Sequence, residues 1–455
     1  MKSPARNQLP LLLSLALAGL FLLLVAGCGE TTSVNTVEQK APGSQTPDPD
    51  GGGTDGGTTD GGGTGGGTTG GGTDGGGGGA PPVDLVTFQA ASYVVGQNTF
   101  TSSGSATSAA GLFSPFLVGW TSTDGLLITE FQNDRTILFT AVPNSDGSSA
   151  DLVIGKNNLT TEGCDLTASG ICIPSDAQVD PNGTLFSADT GNHRVLVWNA
   201  VPTTDGAAAD LVLGQADFTS SGGGCSATQL SAPTAVFSNG TVLLVADGNN
   251  HRVLIWDPVP TTTQQAADLV LGQGDFSTSC VQNDDDQNTI NDGSPTARTM
   301  NNPAGIWTDG TILIVADQGN NRVLVWNGFP TSNFEPADIV LGQTSMNGSA
   351  ANTSAAGLNA PYQVDSNGIH LAVADSGNNR VLIWNDLPTV DAEPPDVVLG
   401  QQDFTHGAPN DSDNDGATDG VTGQTLNSPY GVKFADTQLI ISDSSNNRVL
   451  IYDGQ

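Results

Sequence analysis

One motif recurs through the C-terminal region of the chain and sets what that region can fold into. Its clearest copy is Ala374-Asp375-Ser376-Gly377-Asn378-Asn379-Arg380-Val381-Leu382-Ile383-Trp384. Asp189 to Trp198, Asp247 to Trp256 and Asp317 to Trp326 repeat it closely. Asp443 to Tyr452 carries Tyr for Trp, and Glu130 to Phe139 is a degenerate sixth copy that keeps Arg135 and an aromatic residue four positions on. An apolar, β-branched run such as Val242-Leu243-Leu244-Val245-Ala246 leads into the motif. Asp and Gly-Asn-Asn then supply turn conformations, and Arg-Val-Leu-Ile-Trp reads as a second strand. These strands are apolar on both faces, as a sheet packed on both sides requires.

The spacing extends each copy to a unit of about four strands. A proline (Pro115, Pro174, Pro233, Pro303, Pro361, Pro429) precedes each acidic turn residue by 14 or 15 positions. A Leu-Val-Leu-Gly-Gln-like segment ends 21 residues after each of the first five arginines, at Lys156, Gln215, Gln273, Gln343 and Gln401. The sixth unit stops at Gln455 without this last strand, while an unmatched one, Tyr93-Val94-Val95-Gly96-Gln97, stands at the start. A ring resolves both ends. The expectation is an all-β, six-bladed β-propeller closed by the N-terminal strand completing the last blade.

The Val-Ala-Asp and Gly-Asn-(His/Asn)-Arg-Val segments also resemble the NHL-repeat family of six-bladed propellers, over about residues 90–455. The resemblance implies the same fold, in a family of interaction modules that includes a few enzymes.

Residues 1–27 read as a targeting segment: Lys2 and Arg6, then an apolar core from Leu11 to Val25, then Val25-Ala26-Gly27-Cys28. This resembles a bacterial lipoprotein signal, which implies that Cys28 carries the lipid and that the membrane is engaged through that anchor only. Gly29 is not the Asp that retains lipoproteins in the inner membrane of enteric bacteria, which points to the outer membrane or cell surface. Residues 28–82 include a tract, 51–79, of only Gly, Thr and Asp. Such a segment is a flexible tether with an r.m.s. span of about 40 Å. The propeller is assigned to residues 83–455.

Taking Lys2 and Arg6 from the twelve basic residues leaves ten against 47 acidic, a net charge of about −37. That excludes nucleic acid as a partner. Six of the ten are the motif arginines, each five residues after an Asp or Glu. They are expected to fork onto carboxylate and turn carbonyls within or between blades. His193 and His251 are read as turn residues, and Phe139, Trp198, Trp256, Trp326, Trp384 and Tyr452 as interblade core.

The connection from Gly-Gln to the next proline is 18 residues in four cases, 30 from Gln273 and 28 from Gln401. These connections share a face with the Asp-Gly-Asn-Asn-Arg turns, and that elaborated, acidic face is where a protein or glycan ligand is expected. In the last insert, Asp411, Asp413, Asp415 and Asp419 stand at positions 1, 3, 5 and 9 with Gly416 at 6. The pattern resembles the calcium loops of EF-hand-like and thrombospondin-type repeats and implies Ca²⁺. Thr422 occupies position 12, so the bidentate Glu is missing and affinity is expected to be weak. The other insert, Asn283-Asp284-Asp285-Asp286-Gln287-Asn288, lacks the Gly and is the weaker candidate.

Cys164, Cys172, Cys225 and Cys280 fall in three consecutive connections. In an exported domain they favour disulfides. Of the three connectivities, Cys164–Cys172 within one loop with Cys225–Cys280 across neighbouring loops is preferred; a zinc site is the alternative, without CxxC spacing. The alternative function is a metal-dependent hydrolase or lyase centred in the channel. Near the innermost strands, however, only Asp176, Gln178 and Gln363 are obviously polar or acidic, and no Ser-His-Asp set is present.

Overall fold

In the computed structural model of the protein, residues 83–120, 125–278 and 280–454 are described. The targeting segment, Cys28 and the tether therefore lie outside the described residues. Each proline starts an innermost strand, each acidic residue ends the second, each motif arginine starts the third, and the segment before Gly-Gln is the outermost. An initial strand, β1 (Tyr93–Val95), precedes the first blade. Blade one is β2 (Pro115–Trp120), β3 (Leu126–Glu130), β4 (Arg135–Phe139) and β5 (Leu152–Ile154). Blade two is β6 (Pro174–Val179), β7 (Leu185–Asp189), β8 (Arg194–Trp198) and β9 (Leu211–Leu213). Blade three is β10 (Pro233–Ser238), β11 (Leu243–Asp247), β12 (Arg252–Trp256) and β13 (Leu269–Leu271). Blade four is β14 (Pro303–Thr308), β15 (Leu313–Asp317), β16 (Arg322–Trp326) and β17 (Ile339–Leu341). Blade five is β18 (Pro361–Ser366), β19 (Leu371–Asp375), β20 (Arg380–Trp384) and β21 (Val397–Leu399). Blade six is β22 (Pro429–Ala435), β23 (Gln438–Asp443) and β24 (Arg448–Asp453), and β1 pairs antiparallel with β24 through Val94 opposite Leu450. The six sheets are all four-stranded, so the sixth blade is completed by the strand that comes first in the sequence.

The core lies between the blades. Six apolar clusters each join residues of two neighbours, including one between blades six and one that contains Val95, Val118, Ile137 and Ile451. Each cluster holds one aromatic residue of the motif: Phe139, Trp198, Trp256, Trp326, Trp384 or Tyr452. Burying apolar side chains and a large ring on both sides of every sheet is what lets blades that are apolar on both faces stand around a ring.

Strand edges at both rims are capped by side chains of a neighbouring blade, the following one at the outer rim and the preceding one at the channel. At the outer rim, Val94 N donates to Asp146, Val153 N to Asp205 and Val340 N to Asp391. At the channel, Val236 N donates to Asp176, Ser238 N to Gln178, Val432 N to Gln363 and Phe434 N to Asp365. Edge N–H groups that would template aggregation are thus occupied. Among the described residues no helix is long and apolar enough to cross a membrane.

Candidate functional site

The motif arginine builds the face on which the long connections lie. In blade four, Arg322 Nε donates to Asp317 Oδ2 at 2.7 Å, one terminal nitrogen donates to Met346 O, and the other to Thr296 O and Thr299 O at 2.9 Å each. The same pattern recurs at Arg135, Arg194, Arg252, Arg380 and Arg448, all fully buried. Asn320 Nδ2 and Asn301 N complete the coordination of Asp317. The arginines therefore hold the connections in place, as the sequence implies. Burial raises the carboxyls of Asp247, Asp375 and Asp443, while arginine, asparagine and backbone donors pull them back.

The residue before each motif arginine is left-handed: Asp134, His193, His251, Asn321, Asn379 and Asn447 have φ of 50–54°. Its side chain accepts the N–H of the residue before the next blade's proline, at Ile173, Ala232, Asn302, Ala360, Ser428 and, across the closure, Ser114. Asp, Asn and neutral His are the side chains that both tolerate this conformation and present an acceptor. This latch was not foreseen from the sequence; the confinement of the slot to Asp, His and Asn was the available signal.

In the fifth-blade insert, carboxylate oxygens of Asp411, Asp413 and Asp419 lie within 4.8 Å of one another. Asp415 is not in this group, and its Oδ1 accepts Ala417 N. Asp411 is fully buried and accepts Asn414 N and Gly416 N at 2.7 and 2.9 Å. Asp419 accepts Ser412 N and Oγ, which hold its carboxyl below the usual range. Gly416 sits at φ 84°, the turn its position requires. The third-blade insert gathers Asp284, Asp286 and Asp292 in the same way. Its likeness to the fifth is concealed in sequence because Gln287 and Thr289 take left-handed turns (φ 58° and 70°) without a glycine.

Both disulfides form as the preferred connectivity has them, Cys164–Cys172 and Cys225–Cys280. Asp134 lies beside the first, whose sulfurs are bonded to each other rather than free as thiolates.

At the same face the channel is closed by Phe116, Phe131, Tyr362 and Tyr430, whose ring centroids lie 4.6–5.1 Å apart along the contacts they share. Below this plug a small cavity is lined by Asp176, Gln178, Gln363, Asp365 and Lys433. Burial pushes Asp176 up to about 7. Lys433 pairs with Asp365 at 2.7 Å. Asp365 and Lys433 are channel groups that the sequence reading passed over, although each stands four residues after its proline, as Gln178 does. The channel carboxylates and carboxamides are engaged as interblade caps.

Val83 N donates to His370 Nε2 in the turn between β18 and β19. The chain thus enters the propeller on the face opposite the long connections. Among the described residues Arg298 is the one exposed cation, over the Phe334 ring at 5.6 Å. Acidic residues occupy both faces, Asp146, Asp205 and Asp391 lying opposite the inserts, so elaboration rather than charge distinguishes the candidate face.

The sheet order and the interblade clusters define a six-bladed β-propeller with an acidic, insert-bearing face. No family model matches the chain, and no curated protein matches it. Among solved structures it is similar to hydrazine synthase of Kuenenia stuttgartiensis, at 12% identity and TM-score 0.42 over 75% of this chain and 96% of that one. It is also similar to a gluconolactonase from Xanthomonas campestris, at 12% identity and TM-score 0.43 over 83% and 98%. The computationally designed Ika8 protein matches at 9% identity and TM-score 0.35 over 74% and 70%.

Proposed function

We propose that the protein is a lipid-anchored, NHL-type propeller of the cell envelope, acting as a binding or scaffold module whose insert-bearing face takes up Ca²⁺ and presents itself to a protein or glycan ligand. The observation that carries this reading is the gathering of Asp411, Asp413 and Asp419 on the face opposite the chain's entry. Three carboxylates at this separation repel one another, and a hard divalent ion relieves the repulsion with the oxygen ligands it prefers. The channel carboxylates are committed to neighbouring blades, which leaves the binding reading better supported than a channel-centred hydrolase or lyase.

The calcium arm is tested on the full chain by calorimetric titration. One event with a dissociation constant on the order of 10⁻⁴–10⁻³ M is expected to vanish in Asp413→Asn/Asp419→Asn. An isotherm unchanged by the substitutions would refute the loop as a site. The anchor is tested by metabolic labelling with a fatty-acid probe. Cys28→Ser is expected to abolish the label, and retention of wild-type labelling would end the lipoprotein reading.

A further inference from the structure

Two of the five Gly-Gln corners differ from the others. In each, the glutamine Nε2 donates to a turn carbonyl beside it and to a carbonyl of the following connection. Gln97 reaches Asn447 and Gly104, Gln215 reaches His193 and Gly222, and Gln343 reaches Asn321 and Ala350. Gln273 reaches His251 and Val281, and Gln401 reaches Asn379 and Ala408. The first three keep 7, 5 and 8% of their exposure, whereas Gln273 and Gln401 keep none. What the last two share is the insert, which folds back over the corner: Gly274 N donates to Gln287 Oε1, and Gln402 Nε2 to Ser412 O. Under that cover the carboxamide oxygens of Gln273 and Gln401 accept no hydrogen bond, and neither does Asn414 Oδ1 within the fifth-blade insert. A buried polar atom left unpaired costs about 1–3 kcal/mol. Here the unpaired atoms are all oxygens and recur under both acidic inserts, which is the deficit a hard cation fills.

The two inserts also match position for position. Asp284, Asp286, Asn288 and Asp292 stand at positions 1, 3, 5 and 9, as Asp411, Asp413, Asp415 and Asp419 do. Asp284 and Asp411 are both fully buried. Asp292 accepts Asp285 N where Asp419 accepts Ser412 N, both at 2.8 Å. We propose that the third-blade insert is a second divalent-cation site, ligated by Asp284, Asp286 and Asp292, with the unpaired oxygen of Gln273 serving the ion directly or through a water it holds. The proposal rests on the calcium reading of the fifth-blade insert for the identity of the ion.

The test is the number of ions bound by the full chain, measured by equilibrium dialysis against Ca²⁺ alone. Two ions per chain are expected at saturation. One should remain in Asp286→Asn/Asp292→Asn, one in Asp413→Asn/Asp419→Asn, and none in the fourfold variant. These carboxylates are exposed, and asparagine keeps an acceptor for the loop's backbone bonds, so the fold should survive; circular dichroism checks it. The wild-type count decides independently of any variant. A single ion, lost in Asp413→Asn/Asp419→Asn and kept in Asp286→Asn/Asp292→Asn, overturns this proposal and leaves the fifth-blade site standing. A single ion with the reverse pattern overturns the fifth-blade site instead, and no ion overturns both.

Discussion

His193 and His251 occupy the latch slot that asparagine fills in three blades and aspartate in one, and each Nδ1 accepts a backbone N–H, at 2.9 and 3.0 Å. That bond requires the neutral ring with its proton on Nε2. Burial pushes His251 down to about 4 and lowers His193 as well, from an ordinary value of 6.5. Below pH 6.5 the unfolded chain takes up protons that the folded chain refuses, so this stability is fully present above pH 6.5 and is lost as pH falls toward 4. For His251 the total is on the order of 3 kcal/mol. Asn321 makes the same latch without titrating. His251→Asn is therefore expected to match wild type at pH 8 and to exceed it at pH 4.5, measured by urea unfolding. Parallel profiles for the two proteins would show that the ring is not strained by protonation.

At the scale of the element, the sixth blade depends on β1, which is far from its partners in sequence. Gln97 Nε2 donates to Asn447 O, Asn447 Oδ1 accepts Ser114 N, and Arg448 donates to Phe100 O. Deleting residues 83–100 removes this strand and exposes the edge of β24. A large loss of thermal stability or aggregation is expected, whereas deleting 31–80 should change little; equal melting of the two truncations would contradict closure by β1. The blades were legible in sequence because each strand boundary carries its own residue: proline at the start of the first, Asp or Glu at the end of the second, arginine at the start of the third. The disulfides were legible because their cysteines fall in adjacent connections. The rim caps were not, since each joins residues of different blades, such as Asp176 and Val236, that share no motif. The latch was not either, because its bond crosses from one blade's turn to the residue before the next blade's proline, even though both ends stand at repeat positions. The geometric likeness of the third-blade insert to the fifth was hidden for a related reason. In the fifth-blade insert Gly416 advertises the left-handed turn at position 6, whereas Thr289 takes the equivalent turn at φ 70° without a glycine.

For the molecule as a whole, the balance of charge sets how stability responds to salt. The six motif arginines and Lys156 are buried, Lys433 is half-buried against Asp365, and Arg298 alone among the described residues offsets the acidic surface from outside. A surface of nearly one sign destabilises the compact state by self-repulsion. Added salt screens exposed charges at a Debye length of about 10 Å in 0.1 M solution, but screens buried pairs such as Arg322–Asp317 far less. The repulsion is therefore relieved while the arginine forks stay intact, and the net effect of salt is stabilising. Raising NaCl from 10 to 500 mM in the presence of a calcium chelator is expected to lift Tm by on the order of 5 °C. The chelator matters because an ion bound at the inserts would stabilise by mass action and mimic screening. Unfolding in guanidinium chloride, itself a salt, should also report a higher stability than unfolding in urea at low ionic strength. A Tm that is flat or falls with NaCl would mean that repulsion across the surface is not what limits this propeller.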